Sequence, residues 1–261
     1  ESPGSDVSGT GANSNGDYRM AHNNQNSQEG YKRSPLTAAE LPAQEYHDRP
    51  ETSAGDLELV YRRSPQALMY QREATRVETP AMLLGTLTHV LCLEPDAFVH
   101  RYILLPKIDR RTKDGKEQYA SIQKTAAVKG LTIVDPDIYE HALSMARSLN
   151  EHPQLRAAWS SGQPELSYFG QCEFGTMKCR PDLVSDDHWI DVKTARDATK
   201  DGFVRAAADG GFHRRAAYYL DIARQHGLNP RYWFAVVDKR PPYDVGVYEL
   251  SRENILLGDT Q

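Results

Sequence analysis

The sequence predicts an α/β domain, a central mixed sheet flanked by helices, spanning residues 46–261 behind a tail or linker at 1–45. Three observations carry this. Leu183, Ile190 and Val192 alternate with polar neighbours on either side of Ser185-Asp186-Asp187-His188, the pattern of two strands joined by a polar turn. Residues 80–93 hold Met82, Leu83, Leu84, Leu87, Val90, Leu91 and Leu93, apolar nearly all round as in a buried helix. Tyr232, Phe234, Val236 and Val237, then Val245, Val247 and Leu250, mark two late strands on either side of Pro241-Pro242.

Composition bounds the rest. A chain of 261 residues, 39% hydrophobic with three Trp, is long enough for one sizeable core and an appendage. The net charge of −5 excludes a surface coated in basic residues, although a local Lys and Arg channel can still meet a polyanion. Cys92, Cys172 and Cys179 have neither framework nor zinc spacing, and read as reduced thiols. No apolar run reaches the ~18 residues of a membrane span and no signal segment opens the chain, so a cytoplasmic protein is expected.

In order, the Ser-, Gly- and Asn-rich residues 1–45 bury too little to offset ordering entropy. Ser53 caps a helix with Leu57, Leu59, Val60 and Tyr61 on its apolar side, Arg62-Arg63-Ser64 interrupts it, and Pro65 opens a second helix. Thr79-Pro80 opens the buried helix, where Gly85 and His89 share a face. His89 is either a satisfied core residue or a ligand. Residues 101–105 read as a strand. The following run from Lys107 to Lys129, with Arg110, Arg111 and Lys113, is either a solvated segment or a phosphate contact. A short strand at 131–134, a helix capped by Asp135, a shorter helix ending at Gly162 and a strand over 165–174 lead into the central hairpin. Glu165 reads as a strand-edge acid or as an additional site acid. Beyond Thr194 come two helices broken at Gly210-Gly211, with Arg214 and Arg215 opening the second.

The hairpin carries the chemistry. With Asp186-Asp187 as the loop, Leu183 opposes Ile190, Val184 opposes Trp189, and Asp182 opposes Asp191, while Lys193 projects on the side of Asp191. Opposed like charges are unfavourable unless a cation sits between them. Two carboxylates and an ammonium around one point suit metal-assisted phosphodiester hydrolysis, with the carboxylates holding Mg²⁺ and Lys193 orienting or deprotonating the water.

Pro181-Asp182 followed by Asp191-Val192-Lys193 resembles the signature of the PD-(D/E)xK nucleases. With Gly85-Thr86-Leu87-Thr88-His89, Leu93-Glu94-Pro95 and Ala216-Ala217-Tyr218-Tyr219, residues 46–261 resemble the RecE-type exonuclease family (exonuclease VIII) of the RecB-like branch. Arg215 stands where that family carries the Gln of a Gln-x-x-x-Tyr pattern. The resemblance implies a restriction-endonuclease-like core and catalytic Asp182, Asp191 and Lys193. It implies metal ligation by His89, Asp182, Asp191 and the Val192 carbonyl, with Mg²⁺ as cofactor and Mn²⁺ able to substitute. It also implies DNA contacts from Arg110, Arg111, Lys113, Arg214, Arg215 and Tyr219. The expected activity is degradation of the 5′-ended strand at double-stranded DNA ends, leaving 3′ tails for a RecT-like single-strand annealing protein, by a homotetramer of prophage type. Two alternatives stay open: an endonuclease of the same fold, and a non-catalytic DNA-binding module, which would be expected to lack one of Asp182, Asp191 or Lys193.

Overall fold

The computed structural model describes residues 34–74, 78–251 and 253; the part of the expected tail at 1–33 lies outside the described residues. Local signals set most helix starts. The helices α1 (Ala43–Asp48), α2 (Ala54–Arg62), α3 (Pro65–Glu73) and α4 (Pro80–Leu93) come first. Ser53 and Asp56 form a reciprocal capping box on α2, and Ser64 and Thr79 cap α3 and α4 ahead of their opening prolines. A 3₁₀ turn and α5 (Phe98–Arg101) lead into β1 (Tyr102–Leu104), so the strand expected from residue 101 opens a residue later. Then follow α6 (Lys113–Lys129), β2 (Thr132–Val134), α7 (Pro136–Glu151), capped by Asp135, and α8 (Pro153–Ser161). The basic run is thus mostly one helix, with only Gly115 and Ala126 buried in it.

The strands β3 (Gln163–Pro164), β4 (Tyr168–Cys172), β5 (Gly175–Cys179), β6 (Leu183–Val184) and β7 (His188–Ala195) precede α9 (Lys200–Gly210), α10 (Phe212–Gln225), β8 (Arg231–Asp238) and β9 (Val245–Glu249). The main sheet runs β3-β6-β7-β8-β9, with β7 and β8 parallel and the other neighbours antiparallel, so it is mixed. In the hairpin Leu183 pairs with Ile190 and Val184 with Trp189, the register expected from the turn.

Alternation along β7 divides the core. Ile190 and Val192 pack with Leu87 of α4 and with Met145 and Leu149 of α7, whereas Trp189 faces Phe203 of α9 and Ile222 of α10. Ile190, Val192 and Leu87 are fully buried, each contributing about 1.5–3 kcal/mol. On α4 itself the buried residues are Leu87, Thr88, Val90, Leu91 and Cys92, and Met82 in the first turn is exposed, so the helix is buried over its second half.

Two expectations are corrected. The strand expected over 165–174 is broken: Glu165 has a positive φ of 54°, and β3 and β4 belong to different sheets. Lys178 and Cys179 likewise belong to β5, which pairs with β4, so the chain changes sheets through Arg180-Pro181-Asp182. Order also begins before residue 46. Leu36 bridges Ser167, and Leu41 and Tyr46 bury against Phe169, forming a strap across the β4–β5 pair.

Candidate active site

The change of sheet places the acids. Glu165 donates its backbone N–H to the Asp182 carbonyl at 3.1 Å, which binds the β3–β4 connection to the start of β6. From the other side, α4 brings His89 Nδ1 to 3.5 Å from Asp182 Oδ2. His89, Glu165 and Asp182 each offer one ligand atom, and these atoms all lie within 4.8 Å of one another. Two carboxylates and an imidazole, shielded but reachable (His89 27% and Asp182 13% exposed at the side chain), suit a divalent cation such as Mg²⁺ or Mn²⁺.

Asp191 is not among these three residues. Its Oδ2 lies 2.5 Å from Lys193 Nζ. Lys193 Nζ is also 3.4 Å from the Val192 carbonyl, and the Val192 N–H donates to Asp182 Oδ2 at 2.5 Å. The two strands therefore lock the acids together through one backbone amide and one ammonium.

Electrostatics separates the three carboxyls. Burial pushes the Asp182 pKa above the usual range, assisted by Asp191 and opposed by His89, Lys193 and the Val192 amide. Burial and the neighbouring Asp182 push Glu165 up to about 8. For Asp191 burial acts in the same direction, but Lys193 and Arg215 outweigh it and hold the carboxyl below its ordinary value. Without a cation, Asp191 is ionised while Glu165 retains its proton near neutral pH. Metal ligands must be deprotonated, so a cation at this cluster would displace that proton.

A family model described as a PDDEXK-like domain of unknown function (DUF3799) matches residues 61–259. The chain belongs to this family. The PDDEXK-like domain also has a solved structural neighbour, a protein from Eubacterium rectale described as a "putative exonuclease". The two superpose with a TM-score of 0.59 over 87% of this chain and 82% of the other, at 14% identity, a likeness of fold. No curated protein matches the chain by sequence.

The same core knots the strap to the site. Arg180, two residues before Asp182, donates from Nε to Ser167 Oγ at 2.8 Å and from Nη2 to the Leu41 carbonyl at 2.7 Å, over the Tyr46 ring at 4.1 Å. Lys178 Nζ donates to the Tyr46 and Arg49 carbonyls, both at 2.8 Å. Residues flanking Glu165 and Asp182 are thus tied to a segment that precedes the family match.

The expected DNA contacts divide. Arg215 interacts with Asp191 electrostatically, without an ion pair; burial lowers its pKa, but Asp191, Tyr219 and Tyr232 more than offset this. Tyr219, one turn further along α10, reaches the Arg180 carbonyl at 3.5 Å and packs edge-on to Tyr232. Arg214 faces away, held by both carboxylate oxygens of Glu58 at 2.7 and 2.8 Å and lying over Tyr61, which places it in a structural ion pair. Arg110 lies over Tyr119, Arg111 pairs with Asp109, and Lys113 is 4.0 Å from Glu117. Arg111 and Lys113 are more than 90% exposed at the side chain. Glu165 is the residue that sequence reasoning undervalued. Its only local signal was an acid between the helix end at Gly162 and the next strand.

Proposed function

We propose that the chain is a Mg²⁺-dependent exodeoxyribonuclease that degrades the 5′-ended strand of linear duplex DNA, leaving 3′ single-stranded tails for recombination by strand annealing. One observation carries the hydrolytic part: a half-buried His89, Glu165 and Asp182 cluster beside an Asp191–Lys193 pair, in a fold of the PDDEXK-like family. The description of the Eubacterium rectale neighbour as a putative exonuclease supports end-directed cleavage.

A divalent cation held by His89, Glu165 and Asp182 would supply positive charge to the phosphate as negative charge accumulates on it. Around it, each residue has a separate task. Asp191 fixes the Lys193 ammonium at 2.5 Å, on the face that carries the acids. Lys193 orients the attacking water and offsets charge developing on the phosphate oxygens. The Val192 amide holds Asp182 at 2.5 Å, so the carboxylate keeps its direction when substrate enters. Arg110, Arg111 and Lys113, on and beside the outer helix α6, supply phosphate contacts away from the reacting atoms.

Linear duplex labelled at the 5′ or the 3′ end, incubated with Mg²⁺ beside a covalently closed circle, tests the reading. Early release of the 5′ label with an intact circle is expected. Cutting of the closed circle would replace the reading with an endonuclease, and early loss of the 3′ label would reverse the direction.

A further inference from the structure

Glu165 and Asp182 reach the metal cluster from positions that no strand ladder holds. Glu165 lies between β3 and β4 at a φ of 54°, a conformation that a non-glycine residue keeps only where its surroundings impose it. Asp182 stands just before β6, where the chain changes sheets. One backbone bond joins the two, from the Glu165 N–H to the Asp182 carbonyl at 3.1 Å. A single bond is a pivot, and two carboxylates that must meet one cation need their spacing fixed at a second point.

Arg180 supplies that point. It lies two residues before Asp182, and its Nε donates at 2.8 Å to the hydroxyl of Ser167, two residues after Glu165; both side chains are buried. The segments 165–167 and 180–182 are thereby joined by two rungs. Pro181 stiffens the second segment, because its ring fixes its own φ and disfavours the helical region for Arg180. The strap braces both. Leu36 and Ser167 exchange both backbone bonds, at 2.8 and 3.0 Å, while the Leu41 carbonyl takes Arg180 Nη2 at 2.7 Å and the Tyr46 ring lies 4.1 Å from the guanidinium. Among the described residues Arg180 makes no ion pair within 4.0 Å, so its fork is anchored on neutral acceptors and leaves the carboxylates of Glu165 and Asp182 to a metal.

We propose that Arg180, seated on the strap, is the positioning residue of the metal cluster: its fork ties the Glu165 segment to the Asp182 segment and so sets the spacing at which both carboxylates meet one cation. This rests on the nuclease reading and extends the working unit to residues 36–46, upstream of the family match at 61–259. A guanidinium that acted on the cluster through its charge alone would repel a divalent cation, so its removal would tighten metal binding. Positioning predicts the opposite sign.

Calorimetric titration of the metal-free protein with Mn²⁺, in the absence of DNA, tests this. Wild type is compared with R180M, R180K and S167A, and with E58Q, which breaks an ion pair outside the cluster. R180M should weaken Mn²⁺ binding by about tenfold, as loss of a group that orients metal ligands does. R180K keeps the charge but not the fork and should fall between wild type and R180M. S167A keeps the guanidinium, loses only the Nε acceptor, and should also bind more weakly than wild type; if R180M does not fold, S167A and R180K decide the matter. E58Q should lower the melting temperature and leave Mn²⁺ affinity unchanged. Unchanged or tighter Mn²⁺ binding by the folded Arg180 and Ser167 variants, or a weakening that follows melting temperature in E58Q as well, would make Arg180 a structural anchor and overturn the proposal. Wild type that binds no Mn²⁺ would overturn the nuclease reading with it.

Discussion

Replacing Glu165 with Gln separates a metal ligand from a strand-edge acid, because the two roles move stability and metal affinity in opposite directions. The Glu165 carboxyl titrates near 8, against 4.5 in an unperturbed chain, through burial and the charge of Asp182. A folded-state pKa above the unfolded value means that the group costs nothing below about pH 4.5 and increasingly destabilises the fold as the pH rises toward 8. Linkage between those two values gives a cost of about 1 kcal/mol at pH 5 and about 3 kcal/mol at pH 7, and water reaching the half-buried carboxyl lowers both toward half. E165Q, isosteric and neutral, removes this cost. Denaturant unfolding in EDTA should show the variant more stable than wild type, with a gap that widens from pH 5 to pH 7. Titration with Mn²⁺ at pH 7 should stabilise wild type and do so far less for E165Q, since a carboxylate ligand is gone. A variant equally stable at both pH values, or one that takes up Mn²⁺ as wild type does, would remove Glu165 from the site.

Three further outcomes follow from the same geometry. H89A should weaken Mn²⁺ binding by about 10–100-fold with little loss of stability; a lowered melting temperature with unchanged affinity would make His89 a core residue. Replacing Arg110, Arg111 and Lys113 together with Ala should weaken duplex binding in Ca²⁺ and reduce the log–log salt slope by about one unit per lost phosphate contact, an unchanged slope returning this stretch to a solvated surface. E58Q should destabilise the fold by about 1.5–3 kcal/mol, because both charged bonds to Arg214 are lost. Arg214 and Arg62 hold Glu58 down to about 2, so in wild type this contribution is present above about pH 4.5 and disappears as the pH falls toward 2, which acid unfolding of wild type and E58Q together would display.

What was legible in the sequence was mostly local. Ser53, Ser64-Pro65, Thr79-Pro80 and Asp135-Pro136 announce helix starts because a short side chain or a proline satisfies the first turn within a few residues. Gly211 ends α9 in the left-handed region, which a Gly-Gly pair signals directly. The hairpin register was readable because the turn fixes it, with Leu183 against Ile190 and Val184 against Trp189; Asp182, just outside the ladder, meets β7 through the Val192 amide. The rest depends on partners far apart in the chain. Glu165 joins the site because the strand run breaks at a positive φ and its amide meets the Asp182 carbonyl, neither of which alternation reveals. The strap resembled a tail since its own apolar content is small; it is held by Arg180 and Lys178, more than 120 positions away. Arg214 and Arg215 are adjacent in sequence yet divide: Arg214 bonds Glu58, whereas Arg215 lines a cavity with Tyr219, a division set by the helical turn and by which elements α10 packs between.

The central claim is that the His89, Glu165 and Asp182 cluster and Lys193 together hydrolyse DNA. It is tested most directly by comparing wild type and K193A on end-labelled linear duplex, with Mg²⁺ and with EDTA. Nucleotide release by wild type in Mg²⁺ alone, and its loss in K193A that still folds and binds the duplex, is the predicted result. Release by wild type in EDTA, or by K193A at the wild-type rate, would contradict the account.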